Sequence, residues 1–205
     1  DELRRGKPTN HVVFGEAGAI LAGDGLLTEA FGLFLDGAPG LSAERVVWAT
    51  RLAVKAAGAG GMVGGQALDM EYTGRGGGSL PELQAMHALK TGALIQSACL
   101  TGAILAGVSD SDLKRVAEYG ASIGLAFQIV DDILDEVGDT ATLGKPAGSD
   151  REQGKTTYPA LVGLDESRRL AERSRERALA ALEPYQGEDA DFLRDLARYI
   201  VDRVS

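Results

Sequence analysis

The stretch "FQIVDDILDEVGD", residues 127–139, places five carboxylates in thirteen positions, directly after an apolar run. On a helix, Asp131 and Asp135 stand one turn apart on the same face, with Gln128 beside them and Asp132 rotated away by roughly 100°. Charge runs are usually solvated faces. Here, however, "ASIGLAFQIV" is apolar on nearly every side, so the acids emerge at the mouth of a core where a cation would offset their repulsion. Magnesium suits such a place, because it takes one or two carboxylates and completes its shell with water and phosphate oxygens. No Cys and His cluster suggests zinc, and the acids lack the alternate spacing and central glycine of an EF-hand loop.

A phosphate partner needs positive charge, and the following "LGKPAGSDREQGKTTYP" supplies Lys145 and Lys155, ten residues apart. Spacing argues against a nucleotide-binding P-loop. Five residues separate Gly148 from Gly154 where that motif has four, no strand precedes it, and in "GDTATLGKP" Pro146 stands where a Ser or Thr is needed.

The elements that must position these groups read as helices throughout, which makes the chain all-α. An apolar segment runs from about Val12 to Phe34, and Ser42 opens a helix through Trp48 towards Gly58. "GGQALDMEYTG" is a short helical stretch. Ser79 with Glu82 three residues on forms a capping box, Pro81 between them, for a helix ending near Gly107. Asp110 or Ser111 caps the helix that carries the acids. Residues 138–158 form a long polar segment expected to be a site loop. Two helices close the chain, about Asp165 to Leu182 and about Asp191 to Val204, the second with Phe192, Leu196, Ile200 and Val204 on one stripe. Glycines inside helices cost about 1 kcal/mol each relative to alanine, a loss that close helix packing offsets.

Composition narrows the partners. With 21 Lys and Arg against 30 Asp and Glu, the net charge of −9 argues against a nucleic-acid binder. The 44% hydrophobic content over 205 residues supports a sizeable core, and without a linker or repeat a single domain, 1–205, is the simpler organisation. The lone Cys99 excludes an internal disulfide framework and fits a reducing compartment, so a cytoplasmic location is expected. Thr91 to Ser109 is uncharged and of membrane length, but its Gly, Ala, Ser and Thr content favours a buried core helix over a membrane span.

Six ordered motifs, "LRRGKPTNH" (3–11), "AGDGLLTEAF" (22–31), "GGQALDM" (64–70), "KTGAL" (90–94), "FQIVDDILD" (127–135) and "GDTATLGKPAGSDREQGKTTYP" (138–159), give the chain a resemblance to the trans-prenyl diphosphate synthases. That resemblance implies the isoprenoid synthase fold, a helical bundle around a diphosphate and metal cavity. It also implies a magnesium-dependent, homodimeric prenyltransferase joining isopentenyl diphosphate to an allylic diphosphate. Asp131 and Asp135 would be metal ligands, Asp131 the more direct, with Gln66 and Asp69 supporting the metal-water network. Arg4 would grip the allylic diphosphate and Arg5 that of isopentenyl diphosphate, and Lys90, Lys145 and Lys155 would surround the leaving group. Thr91 and Gln128 with Lys90 would stabilise the allylic cation, and Phe127 would pack by the nucleophile. Taken alone, Phe127 and Asp132 stay open between packing and function.

The resemblance has one gap. The family's first Asp-rich motif stands just upstream of Leu-Arg-Arg-Gly, whereas this sequence starts at Asp1. The expectation is a longer enzyme of which this is part. The alternative is a non-catalytic helical homologue serving as a partner or regulatory subunit. A terpene cyclase shares the metal chemistry, but paired loop lysines suit two diphosphates better.

Overall fold

The computed structural model describes residues 2–4, 6–37, 39–73, 78–137 and 154–204. Helices α1 (Asn10–Asp36), α2 (Ala43–Ala57), α3 (Met62–Tyr72) and α4 (Leu80–His87) lead into a π-helical turn, Ala88–Gly92. They are followed by α5 (Ala93–Ala106), α6 (Asp110–Val137), α7 (Tyr158–Val162), α8 (Leu164–Ala181) and α9 (Glu188–Asp202). The one departure from all-helical structure among the described residues is a two-stranded ribbon, β1 (Leu3–Arg4) against β2 (Lys7–Pro8).

Helix α6 is the spine, with α5 packed on one side and α8 on the other, and α2 behind α5. Its Tyr119, Ile123, Ala126, Ile129, Val130 and Ile133 are all buried. The side chains of Ile129, Val130 and Ile133 are wholly sequestered, each contributing roughly 1.5–3 kcal/mol of hydrophobic stabilisation. The Tyr119 hydroxyl donates to the Leu193 carbonyl at 2.8 Å, fastening α9 to the spine. Burial raises the Tyr119 phenol above its ordinary range.

Glycine lets α6 meet its neighbour closely. A Cβ on Gly124 would stand 3.1 Å from the Gly92 Cα, so the expected offset for helical glycines is realised where backbones touch.

Helix ends follow the sequence at Ser42, which precedes α2, and in two further places. Ser79 and Glu82 form the full capping box, with the Ser79 N–H donating to Glu82 Oε2 at 2.8 Å, and α5 ends at Gly107. The start of α6 differs from expectation: its cap is Ser109, whose hydroxyl accepts from the Asp112 N–H at 3.2 Å, and Asp110 and Ser111 are already the first two residues of the helix.

Two further expectations change. Phe192 is two-thirds exposed, because the buried stripe of α9 runs through Ala190, Ala197, Ile200 and Val201. Helix α7, capped by the Thr157 hydroxyl accepting from the Ala160 N–H, sits where the long polar segment was expected to end. Residues 138–153 of that segment lie outside the described residues.

By length and composition, Asn10–Asp36 and Leu80–Ala106 could each cross a membrane. The second packs on the spine, with Ser97, Thr101, Ala103 and Ile104 buried. Helix α1, kinked at Gly15 (φ 77°), instead rests mainly on α2 and exposes Phe14, Ile20, Leu21, Leu26 and Leu33.

Candidate active site

Lys90 and Thr91 stand in the π-helical turn, a widened geometry that recurs at functional sites. Its position is set by α3. Gly65 lies so close that a Cβ there would fall 2.2 Å from the Lys90 backbone N and 2.5 Å from its Cα. One turn further along α3, on the same face, Asp69 accepts a hydrogen bond from Lys90 Nζ at 2.6 Å. Asp69 therefore holds Lys90 directly. Gln66, its expected companion, is exposed.

On the other side the turn meets α6. Thr91 Oγ1 donates to Gln128 Oε1 at 3.0 Å, bringing together two residues 37 apart in sequence. Gln128 Nε2 in turn donates to Asp132 Oδ1 at 3.1 Å, and Asp132 Oδ2 accepts from the Tyr158 N–H at 3.0 Å. The buried Tyr158 phenol is raised above its ordinary range, first by desolvation and then by the Asp132 charge.

Asp131 is half-buried and Asp135 is 3% exposed, one turn further along α6. Asp135 lines a cavity of about 340 Å³ that Lys155, Asp132 and Thr157 also line. Lys155 also borders a second, small cavity beside Asp69 and Thr156, so the one residue lines cavities against both α3 and α6. Phe127 is half-buried, with the Arg203 guanidinium over its ring at 6.0 Å.

Arg4 sits exposed on β1, and its side chain forms no ion pair among the described residues. Arg5 and Lys145 lie outside the described residues. Sequence reasoning missed two participants, Tyr158 and Arg203, and left Asp132 open. Asp132 carried a usable signal, since it follows Gln128 by four residues. Tyr158 and Arg203 had none, because each reaches α6 only through the tertiary fold.

Among the described residues, no group of three Asp, Glu, His or Cys side chains is placed to hold a metal. Of the two expected ligands on α6, Asp135 lines the cavity that Lys155 also lines, and Asp131 stands one turn earlier on the helix; both are hard oxygen donors. They fit magnesium shared with a phosphate, which needs few protein ligands, and do not by themselves form an all-protein cage.

The sequence profile described as polyprenyl synthetase matches residues 1–195. The chain belongs to the polyprenyl synthetase family. This chain is 48% identical over 208 residues to farnesyl diphosphate synthase of Escherichia coli (strain K12), covering 99% of the chain and 69% of that protein. Its fold matches the apo crystal structure of an FPP/GFPP synthase from Zymomonas mobilis, with a TM-score of 0.86 and 37% identity, over 98% of this chain and 66% of that one. A geranyltransferase from Helicobacter pylori, solved with magnesium and isoprenyl diphosphate, matches with a TM-score of 0.81 and 29% identity, over 98% and 65% of the two chains. The chain thus spans about two thirds of the length of these relatives, and it shares its all-α architecture with the two solved structures.

Proposed function

We propose that the protein is a prenyltransferase that condenses isopentenyl diphosphate with an allylic diphosphate, releasing diphosphate and making a short-chain all-trans prenyl diphosphate. The Thr91–Gln128 hydrogen bond carries this reading, because it draws the Lys90 turn and the acid-bearing face of α6 to opposite sides of one site. Lys90, Lys155 and Lys145 would neutralise charge that builds on the departing diphosphate, and fixed cations favour that charged state over the intact bond. Thr91 Oγ1 and Gln128 Oε1 would turn oxygen lone pairs to the allylic cation, while Phe127 packs by the double bond of the attacking substrate. Arg4 and Arg5 would bind the two diphosphates.

Asp131 and Asp135 would hold magnesium, with Asp69 keeping Lys90 in place beside it; bound magnesium supplies charge neutralisation on the diphosphate oxygens. The Helicobacter pylori relative, solved with magnesium and isoprenyl diphosphate, supports that cofactor and substrate class. We place the protein in the cytoplasm as one domain without a membrane span. It would act as a homodimer, a state supported by the large apolar side chains left open on α1.

The test is turnover by the purified full chain given isopentenyl diphosphate with dimethylallyl or geranyl diphosphate. Magnesium-dependent condensation is expected, and Asp131→Ala should reduce kcat by at least roughly 100-fold. Unchanged activity in that variant sinks the assignment. Absence of turnover, with capture of a second, different synthetase subunit, would favour a regulatory role instead.

A further inference from the structure

We propose that Asp132, within an acid cluster that reads as metal-binding, is a positioning residue that fixes the orientation of the Gln128 amide. The inference rests on the prenyl-transfer reading above. Asp132 is 4% exposed, and both its oxygens accept from N–H donors: Oδ1 from Gln128 Nε2 at 3.1 Å and Oδ2 from the Tyr158 backbone at 3.0 Å. An ionised carboxylate accepts only, so Gln128 must present its NH₂ to Asp132 and turn its carbonyl to the Thr91 hydroxyl, 3.0 Å away. The direction matters chemically. A carbonyl oxygen and a hydroxyl oxygen stabilise a developing carbocation, whereas a flipped amide would aim N–H dipoles at it.

The anchor of this relay is also fixed. Tyr158 is fully buried, and its ring lies against His87 with centroids 5.7 Å apart. His87 ends α4, immediately before the turn that bears Thr91. The links therefore close a circuit from α4 through α7 and α6 back to the π-helical turn, so the amide cannot rotate without breaking a bond between helices.

Asp132→Asn keeps the shape but leaves one acceptor oxygen for two N–H donors. In the full chain, kcat should fall roughly 10- to 100-fold, with the KM of both diphosphates and the magnesium dependence nearly unchanged. In a Gln128→Ala background the same substitution should add less than about threefold, because the two residues act as one unit. Equal losses in both backgrounds would overturn the proposal, as would restoration of kcat by raised magnesium, the behaviour of a lost ligand.

A second readout needs no turnover. The ¹⁵N side-chain amide signals of Gln128 should shift in Asp132→Asn, and unmoved signals would overturn the proposal. If the unmodified protein condenses no substrate pair, the prenyl-transfer reading fails, while the amide spectrum still decides whether Asp132 holds Gln128. Should Asp132→Asn not fold, Gln128→Glu asks the same question, since a carboxylate at 128 cannot donate to Asp132. It should lose as much kcat as Gln128→Ala, and full activity would refute the role.

Discussion

Gly65→Ala adds one methyl group at the closest approach of two backbones. The new Cβ would lie 2.2 Å from the Lys90 N, 2.5 Å from its Cα and 2.8 Å from the Leu89 carbonyl carbon, where ordinary contact begins at 3.4 Å. All three atoms are backbone, so no side chain can swing aside. Helix α3 and the π-helical turn must separate by roughly 1 Å. Two energies compete: alanine gains about 1 kcal/mol over glycine within a helix, and overpacking costs about 1–3 kcal/mol. The clash should win by about 1 kcal/mol, lowering Tm by roughly 2–4 °C for a chain of this size. The same 1 Å would pull Asp69 from Lys90, now at 2.6 Å, and misplacement on that scale costs about 100-fold in kcat. Gly102→Ala is the control: it sits within α5 with nothing within 4 Å of its added Cβ, and should raise Tm through helix propensity alone. Thermal melts and condensation rates on the three proteins decide the matter. If Gly65→Ala melts as high as Gly102→Ala and keeps full kcat, the close approach of α3 to the Lys90 turn is wrong.

Other outcomes follow from single side chains. The buried Tyr158 hydroxyl has no hydrogen-bond partner among the described residues, so Tyr158→Phe should stabilise the fold by about 1 kcal/mol in urea denaturation. A comparable loss would reveal a bond to that hydroxyl. The Asp112 carboxyl is held below its ordinary 3.8, first by the Ser109 hydroxyl and then by the Tyr185 phenol, which donates at 2.5 Å. A depressed carboxyl stabilises the fold above its unfolded pKa and loses that contribution as pH falls through the lower folded value. Asp112→Asn should therefore melt below the parent at pH 7, with the gap closing under about pH 3.8. A gap that stays constant down to pH 2 would show that the charge is not its source.

Much of this architecture was legible in the sequence because it is set within one or two helical turns. The Ser79–Glu82 box, the end of α5 at Gly107 and the shared face of Asp131 and Asp135 follow from i, i+3 and i, i+4 neighbours, which the chain specifies wherever the helix lies. The aim of an amphipathic face is less local. The stripe assigned to α9 included Phe192, yet the helix turns Ala190 and Ala197 to its neighbours and leaves Phe192 in solvent, because the packing of α6 and α8 selects the buried arc. The site itself depends on contacts of that longer kind. Nothing in "ALKTG" predicts a π-helical turn, whose extra residue is accommodated against the α3 backbone at Gly65. Thr91 reaches Gln128 across 37 residues, and Asp132 reaches Tyr158 across 26. The sequence by itself determined which groups were present and which shared a helical face. Only the tertiary structure decided which pairs came within hydrogen-bonding distance, because those distances depend on where whole helices cross, and that is settled by packing over the entire core.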